Sequence, residues 1–257
     1  MEKSILNAFI YMFKDNDWVY KLFILLCLVT PVAIIAFFQV VMLSNGKISE
    51  GSNILFLVAL TLISIFFSLI SSGYYAKCAN NIIYSSENSS NNDLLPKWED
   101  DFGQFFKLGF RFFLATLLLG VSILGSLFIL GVVADLLKGL SLLIYIVGGI
   151  AAVIFILVYS YFSTALASIF YSNYDITSFF KFKEARKLVS YDSSKYLQIM
   201  GIMFLISLLM SIISSLFAKN LLLVLIMPIA QVYTMLVSAY LAALIFPAEP
   251  EVFLSTD

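Results

Sequence analysis

The sequence predicts an all-α polytopic membrane protein: a bundle of about six transmembrane helices arranged as three hairpins, each preceded by an amphipathic interfacial helix. Two features of composition indicate this fold class. Hydrophobic residues make up 61% of the chain and charged residues 12%, whereas a soluble domain is nearer half apolar and a quarter charged. In addition, long apolar segments alternate with short polar ones. We therefore interpret 1–257 as a single integral-membrane domain.

Six apolar segments are long enough to cross a bilayer as helices. They occupy 22–43, 54–74, 110–134, 140–171, 196–218 and 221–246. Pro31 is expected to kink the first segment, because proline removes a helical hydrogen bond, and Pro228 lies inside the sixth. The fourth segment would be about 48 Å long as a helix, against a hydrocarbon core of roughly 30 Å. It must tilt, break near Gly148 and Gly149, or project into water.

Three Phe-rich segments precede the predicted hairpins and are called here arm one (2–21), arm two (93–111) and arm three (175–195). In arm two, apolar and charged residues both recur every three or four positions, so a helix that starts near Pro96 has one aromatic and one charged face. Such a helix lies in the membrane interface. The alternative, a helix of a soluble core, is disfavoured by the uncharged segment that follows. The arm–hairpin units form a loose threefold repeat over 2–84, 93–171 and 175–246.

Basic residues are distributed unevenly between the two ends of the predicted hairpins. Of the 15 Lys and Arg residues, only Lys47, Lys138 and Lys219 fall in the short loops that join the two helices of a hairpin. Cytoplasmic segments of membrane proteins carry the excess of Lys and Arg. We therefore expect a multi-pass protein of the cell membrane with its three arms and both termini in the cytoplasm.

Composition also limits the chemistry that the chain can perform. The chain contains no His, so the commonest general base and transition-metal ligand is absent. Its net charge is −1, so the protein has no overall positive potential to attract nucleic acid. The acidic run Glu99 to Asp101 is expected to be a solvated helix face, because neighbouring acids on a helix do not converge on a metal. The sequence predicts no enzyme activity, no cofactor, no metal and no nucleic-acid partner. The expected partners are the lipid bilayer, anionic lipids and other membrane proteins.

Ionised residues avoid the predicted spans, which counts against an ion-coupled transporter. The most polar residues left inside them are Gln39 and Gln231, together with stripes of Ser and Thr. Hydrogen bonding and close packing between helices is their expected role, and a solute path is the alternative. We therefore interpret the chain as a non-enzymatic membrane module that organises lipids or partner membrane proteins. The alternative is a transporter or translocator of a small solute or lipid.

Candidate functional positions concentrate in arms one and two. Trp18 and Lys21 are typical of interface anchors, and Asp15 and Asp17 are expected to pair with a Lys or Arg of another arm. The candidate signature and interfacial residues are Asp17, Trp18, Lys21, Pro96, Trp98, Asp101, Phe102, Gly103, Phe106 and Gly109.

These positions form two patterns: Lys-Asp-x-Asp-Trp18-x-x-Lys21, and Asp93-x-Leu-Pro96-x-Trp98-x-Asp-Asp101-Phe102-Gly103-x-x-Phe106-x-x-Gly109. Over 9–111 they resemble a prokaryotic integral-membrane family known only as a domain of unknown function. More distantly, the layout looks like the membrane domain of some glycerophosphodiester phosphodiesterases, although no phosphodiesterase domain is present. The resemblance implies a helical membrane fold. It assigns no activity, because the family has no established activity or catalytic residues.

Overall fold

Helices are the regular secondary structure of this computed structural model, which describes residues 4–44, 51–85, 95–217 and 226–247. Among the described residues the α-helices are α1 (Trp18–Ser44), α2 (Gly51–Tyr84), α3 (Trp98–Leu136), α4 (Ser141–Asn173), α5 (Phe182–Tyr191), α6 (Ser193–Phe217) and α7 (Met227–Ala243). Short 3-10 helices lie at Leu6–Phe9, Tyr11–Lys14, Lys138–Leu140 and Ile176–Phe180. The prediction of an all-α helical bundle is confirmed.

Five of these helices, α1, α2, α3, α4 and α6, are long and apolar enough to cross a membrane. The sixth predicted span is represented by α7, which is apolar but has 17 residues, about 26 Å of helix. The first part of that predicted span, 221–225, lies outside the described residues, as do the predicted loop 219–220 and most of the loop 44–53.

The predicted arms take different forms, and arm two requires a correction. It is not a separate helix, because α3 runs without a break from Trp98 to Leu136 over 39 residues, about 58 Å. No proline lies between Pro96 and the end of α3 at Leu136, so backbone hydrogen bonding continues from the amphipathic turns into the apolar ones. In arm one, the predicted helical face is built instead from two 3-10 helices that end at Lys14, before α1 begins at Trp18.

Among the described residues, arm three contains the one arm α-helix that is distinct from a long apolar helix. It consists of the 3-10 helix Ile176–Phe180 followed by α5. Ala185, Leu188 and Val189 of α5 are buried, whereas Lys183 and Arg186 are exposed. This division between an apolar and a basic face matches the amphipathic pattern of the sequence.

Helix α4 passes through Gly148 and Gly149 without a break and ends at Asn173. Of the three possibilities for this segment, a break at the glycines is therefore excluded. At 33 residues the helix is about 50 Å long, so it tilts or extends beyond the hydrocarbon layer. Tyr174 ends it in the left-handed conformation with φ of 55°, and its N–H donates to the carbonyl of Phe170.

Burial is concentrated at the end of the bundle where the arms lie. In α2, Leu55 near the start is 74% exposed, whereas Ile70 is fully buried. In α4, Leu142 is 74% exposed, whereas Phe170 is fully buried. The long helices thus pack into one core at the arm end, and their apolar side chains are exposed over the opposite half.

Candidate functional site

The arm end is built around a buried ion pair between Asp15 and Lys21. The Lys21 Nζ atom lies 2.9 Å from each carboxylate oxygen of Asp15. The Lys21 side chain is 3% exposed and the Asp15 side chain 0%. Lys21 Nζ also donates to the carbonyl of Leu95 at 2.9 Å, and the Leu95 N–H donates to Asp15 Oδ2 at 3.0 Å. Because Leu95 belongs to arm two, the ion pair joins arm one to arm two.

The predicted pairing of Asp15 and Asp17 with a base from another arm is therefore wrong for Asp15. Its partner Lys21 comes from the same arm, six residues later. The local chain explains this choice: Asp15 Oδ1 accepts the N–H of Asp17 at 3.0 Å, an Asx turn that starts α1 and places Lys21 on its first turn. The neighbouring arm is bound through its backbone instead, at Leu95.

Pro96 explains why that backbone is available. A residue before proline favours an extended conformation, which leaves the N–H and the carbonyl of Leu95 free of helical hydrogen bonds. Helix α3 begins two residues after Pro96, with Lys97 as an extended N-cap. The helix predicted to start near Pro96 thus starts at Trp98, and Pro96 itself is a buried residue between the ion pair and the helix.

Trp98 links the ion pair to the helix core. Its Nε1–H donates to the carbonyl of Lys21 at 3.1 Å, and its ring stacks on Tyr74 of α2 with centroids 4.4 Å apart and planes inclined by 8°. Phe105 contacts both rings edge-on, at 5.1 Å from Trp98 and 5.3 Å from Tyr74. Such arrangements contribute about 0.5–1.5 kcal/mol per aromatic pair beyond the burial of apolar area.

Helices α2 and α3 cross with their backbones in contact next to these rings. A Cβ atom added at Gly73 would lie 1.7 Å from the carbonyl oxygen of Phe105, and one added at Gly109 would lie 1.7 Å from that of Leu69. Both positions therefore require glycine, as small residues are required wherever membrane helices approach closely. Gly109 is thus explained by packing.

A polar cavity of about 420 Å³ lies beside the ion pair and is lined by residues of arms one and two: Asp17, Tyr20, Lys21, Lys97, Trp98 and Glu99. Asp17 and Glu99 are exposed acids at its rim. Lys21 contributes to its wall, but its three ammonium hydrogens are matched by two Asp15 oxygens and the Leu95 carbonyl. The lysine is therefore held as a structural cation and is not presented as a nucleophile.

Metal-binding side chains do not gather in the part of the chain that the structure describes, where no group of three or more His, Cys, Asp or Glu residues could hold an ion. The side chain of Asp101 lies outside the described residues, and Glu99 is exposed. The described residues thus contain an arrangement suited to holding two arms together.

Arm one is also fixed to the last helix. The Tyr11 hydroxyl donates to the carbonyl of Leu236 at 3.1 Å, and its ring lies 4.8 Å from that of Tyr240. The Tyr233 hydroxyl donates in return to the carbonyl of Phe9 at 3.1 Å. Burial raises the pKa of Tyr11 well above its ordinary value, and nearby Cys78 raises it further. The hydroxyl therefore keeps its proton and remains a donor at physiological pH.

The remaining predicted residues are dispersed around this centre. Trp18 is half-buried and contacts Phe13 edge-on. Phe102 and Phe106 are exposed, with the Phe102 ring 6.4 Å from that of Trp98 and the Phe106 ring 5.6 Å from that of Phe66. Gly103 has open space around it. Gln231 of α7 is half-buried, and the side chain of Gln39 lies outside the described residues.

Sequence reasoning placed Asp17 among the site residues, yet Asp15 holds the site together. The pattern Lys-Asp-x-Asp-Trp18 contains both acids, and a local pattern does not show which of them is buried. Tyr74 and Gly73 were missed because they lie in an apolar segment where a Gly-Tyr pair gives no distinctive signal. Only the fold brings them to arm two.

Comparison with known proteins identifies a family for the chain but assigns no activity to it. A family model described as "Protein of unknown function (DUF4013)" matches residues 56–218. No curated protein and no solved structure matches the chain.

Proposed function

The chain belongs to the DUF4013 family of proteins of unknown function, and we propose from its architecture that it is a non-enzymatic membrane module that organises lipids or partner membrane proteins. The observation that carries this proposal is the unequal burial along its helices. Only 6% of the most apolar stretch of α4 is buried within the protein, and the buried share of the corresponding stretch of α6 is also 6%. Apolar surface of this extent needs lipid or another membrane protein against it.

The arm end supports the same proposal. The hydrogen bonds of Asp15, Lys21, Leu95 and Trp98 are made within the protein, which is the arrangement of a structural joint. A catalytic site needs a nucleophile or base directed at a substrate. These hydrogen bonds hold the arms at a fixed place relative to the apolar helices. A module that presents the same surface to lipid or to a partner protein requires such a fixed arrangement.

We further propose that the protein lies in the cell membrane with its arms and both termini in the cytoplasm. The proposal rests on the distribution of Lys and Arg, which favours the arm end. The basic face of α5, with Lys183 and Arg186 exposed, then faces the anionic lipids of the cytoplasmic leaflet. Each basic residue near such a surface contributes about 1 kcal/mol of attraction.

The test is to extract the chain from its native membrane in polymer discs, without detergent, and to analyse what accompanies it. We expect the lipid in the discs to be richer in anionic species than the bulk membrane, or a membrane protein to be cross-linked reproducibly to the chain. Discs formed from the same membrane around an unrelated protein of similar helix number are the control. Lipid of bulk composition and no cross-linked protein would overturn the proposal.

A transporter is the alternative, and one observation favours it. A cavity of about 300 Å³ between α2 and α3 is lined by hydroxyl side chains, among them Ser64, Ser68 and Thr116. Against this, Thr116 donates to the carbonyls of Phe112 and Phe113 in its own helix, so its donor is not offered to a solute. Glycerol entry into liposomes that contain the chain, measured by light scattering, tests the alternative. Entry that is faster than in empty liposomes and is slowed by Ser68→Leu would favour it.

A further inference from the structure

An apolar groove lies between α3 and α4, in the half of the bundle where their apolar side chains are exposed. Its walls include Leu119 and Ile123 of α3 and Ala152 and Phe155 of α4, and Phe182 of arm three closes one end. The cavity has a volume of about 490 Å³, within the range of roughly 300–1,000 Å³ typical of sites for small ligands.

The walls offer almost no hydrogen-bonding groups to an occupant. Ser122 and Ser126 line the α3 side, but Ser122 Oγ donates to the carbonyl of Leu118 and Ser126 Oγ to that of Ser122, both at 2.8 Å. Both hydroxyl donors are therefore used within the helix. A polar solute would lose its hydration in this groove without compensation, so the occupant is a hydrocarbon.

The size of the groove distinguishes between the two hydrocarbon occupants that a membrane offers. Its walls extend from Leu119 to Ser126 and from Gly148 to Ile156, about 11–12 Å along each helix. A transmembrane helix of about 10 Å diameter and that length would fill roughly 860 Å³, well above the volume available. A single acyl chain is much thinner, and the walls cover most of the roughly 15 Å thickness of one leaflet.

The arm end of the groove lies against the basic helix α5. Phe182 is the first residue of α5 and contacts Tyr159 edge-on at 6.3 Å. Lys183 follows it directly, and Arg186 lies one turn later on the same side of the helix. Both are exposed and take part in no ion pair among the described residues, whereas Lys181 is engaged by Asp175 and Glu184 at 3.5 Å each.

We propose that this groove binds one acyl chain of an anionic phospholipid of the arm-side leaflet, with the lipid headgroup against Lys183 and Arg186. The inference rests on the proposed function, because it names the lipid class that the module would organise and the place where it binds. The apolar walls bind the acyl chain and the basic residues bind the headgroup. Each contribution can therefore be removed by its own substitution.

The test uses the full chain, reconstituted in discs of equimolar phosphatidylglycerol and phosphatidylcholine, delipidated in detergent and examined by native mass spectrometry. Ala152→Trp fills the groove from α4, and Ser126→Phe does so from α3. Val153→Trp is the matched control, since Val153 is exposed on the same helix outside the groove.

A second set of variants tests the headgroup site. Lys183→Glu reverses the charge there, Lys183→Arg preserves it, and Lys14→Glu makes the same charge change on arm one.

We expect the unmodified chain to retain one phosphatidylglycerol, and Ala152→Trp and Ser126→Phe to lower its occupancy about tenfold, with Val153→Trp unchanged. Lys183→Glu should abolish the preference for phosphatidylglycerol over phosphatidylcholine, whereas Lys183→Arg and Lys14→Glu should keep it. Circular dichroism of each variant serves as the check that it is folded. If both groove-filling variants retained phosphatidylglycerol at the wild-type level, the proposed lipid site would be wrong and the proposed function as a membrane module would be unaffected. A co-purified protein cross-linked at Ala151 in place of lipid would lead to the same conclusion. An unmodified chain that retains no lipid and captures no partner would overturn both proposals.

Discussion

The indole of Trp98 stacks on the phenol ring of Tyr74, with centroids 4.4 Å apart, and at the same time donates its N–H to the carbonyl of Lys21. One side chain thus connects α2, the start of α3 and the ion pair of arm one. Removing it affects all three elements, whereas the exposed Phe128 lies about 45 Å further along the same helix and its removal affects none of them.

Trp98→Ala is therefore expected to lower the free energy of unfolding by about 3–5 kcal/mol, as truncation of a buried aromatic residue does. Trp98→Phe keeps most of the packing but leaves the Lys21 carbonyl without its donor, at a cost of about 1–3 kcal/mol. Phe128→Ala is the control, because Phe128 is 73% exposed on the same helix. Unfolding in a dodecyl sulfate titration, followed by circular dichroism, measures all three. Equal losses for Trp98→Ala and Phe128→Ala would contradict the central position of Trp98.

The buried ion pair predicts a non-additive response. Asp15→Asn or Lys21→Met alone leaves one charge buried without its partner, which costs about 3–5 kcal/mol. The double variant Asp15→Leu with Lys21→Met removes both charges and should lose less than the sum of the single changes. Asp17→Asn is the control, since Asp17 is exposed. Additive losses in the same titration would show that the two charges do not act as a pair.

The helix crossing predicts opposite effects for glycines of the same helix. Gly109→Ala would place a Cβ atom 1.7 Å from a backbone carbonyl of α2, so the helices must separate. We expect a loss of about 3 kcal/mol or more, since overpacking against rigid backbone is costly. Gly103→Ala has nothing within 4 Å and should stabilise α3 by about 0.5–1 kcal/mol. A stability gain for Gly109→Ala would show that the helices do not touch there.

Asp175 predicts a dependence on acid pH that is local to arm three. Its carboxylate accepts the hydroxyl of Thr177 at 2.6 Å and the N–H of Thr177 at 3.0 Å, and these bonds, with Lys181 nearby, lower the pKa of Asp175 below its ordinary value of 3.8. Because the folded pKa is the lower one, the stabilisation is complete above pH 3.8 and is lost as the pH falls through the folded pKa.

Thr177→Val removes the hydroxyl donor and should raise the pKa of Asp175 towards 3.8. Titration of the Asp175 carboxyl signal by carbon-13 NMR measures the shift. An Asp175 pKa unchanged by the Thr177→Val substitution would show that the hydroxyl does not bond to the carboxylate in solution.

The proposed orientation predicts which side of the membrane is reached by an impermeant reagent. In a background of Cys27→Ser and Cys78→Ser, Lys183→Cys should resist a charged maleimide in intact cells and react after permeabilisation. Asp135→Cys, at the opposite end of α3, should react in intact cells. The reverse labelling pattern would place the arms outside.

The sequence predicted the fold class because hydropathy alone distinguishes helices that cross a membrane from the polar segments between them. It did not predict that arm two continues into α3, since an interfacial helix and the first turns of a long helix have the same periodicity. The ion pair could not be predicted either. Asp15 and Lys21 are six residues apart, a spacing that places no pair on one helix face, and an Asx turn with an extended Leu95 was needed to bring them together.

The crossing at Gly73 and Gly109 also fixes how far apart α2 and α3 lie in the opposite half of the bundle. From Gly73 to the start of α2 is about 33 Å, and from Gly109 to the end of α3 about 40 Å, so each length equals or exceeds the thickness of a hydrocarbon layer of roughly 30 Å. Over such lengths, a change of a few degrees in the crossing angle would displace the far ends of the two helices by several ångströms.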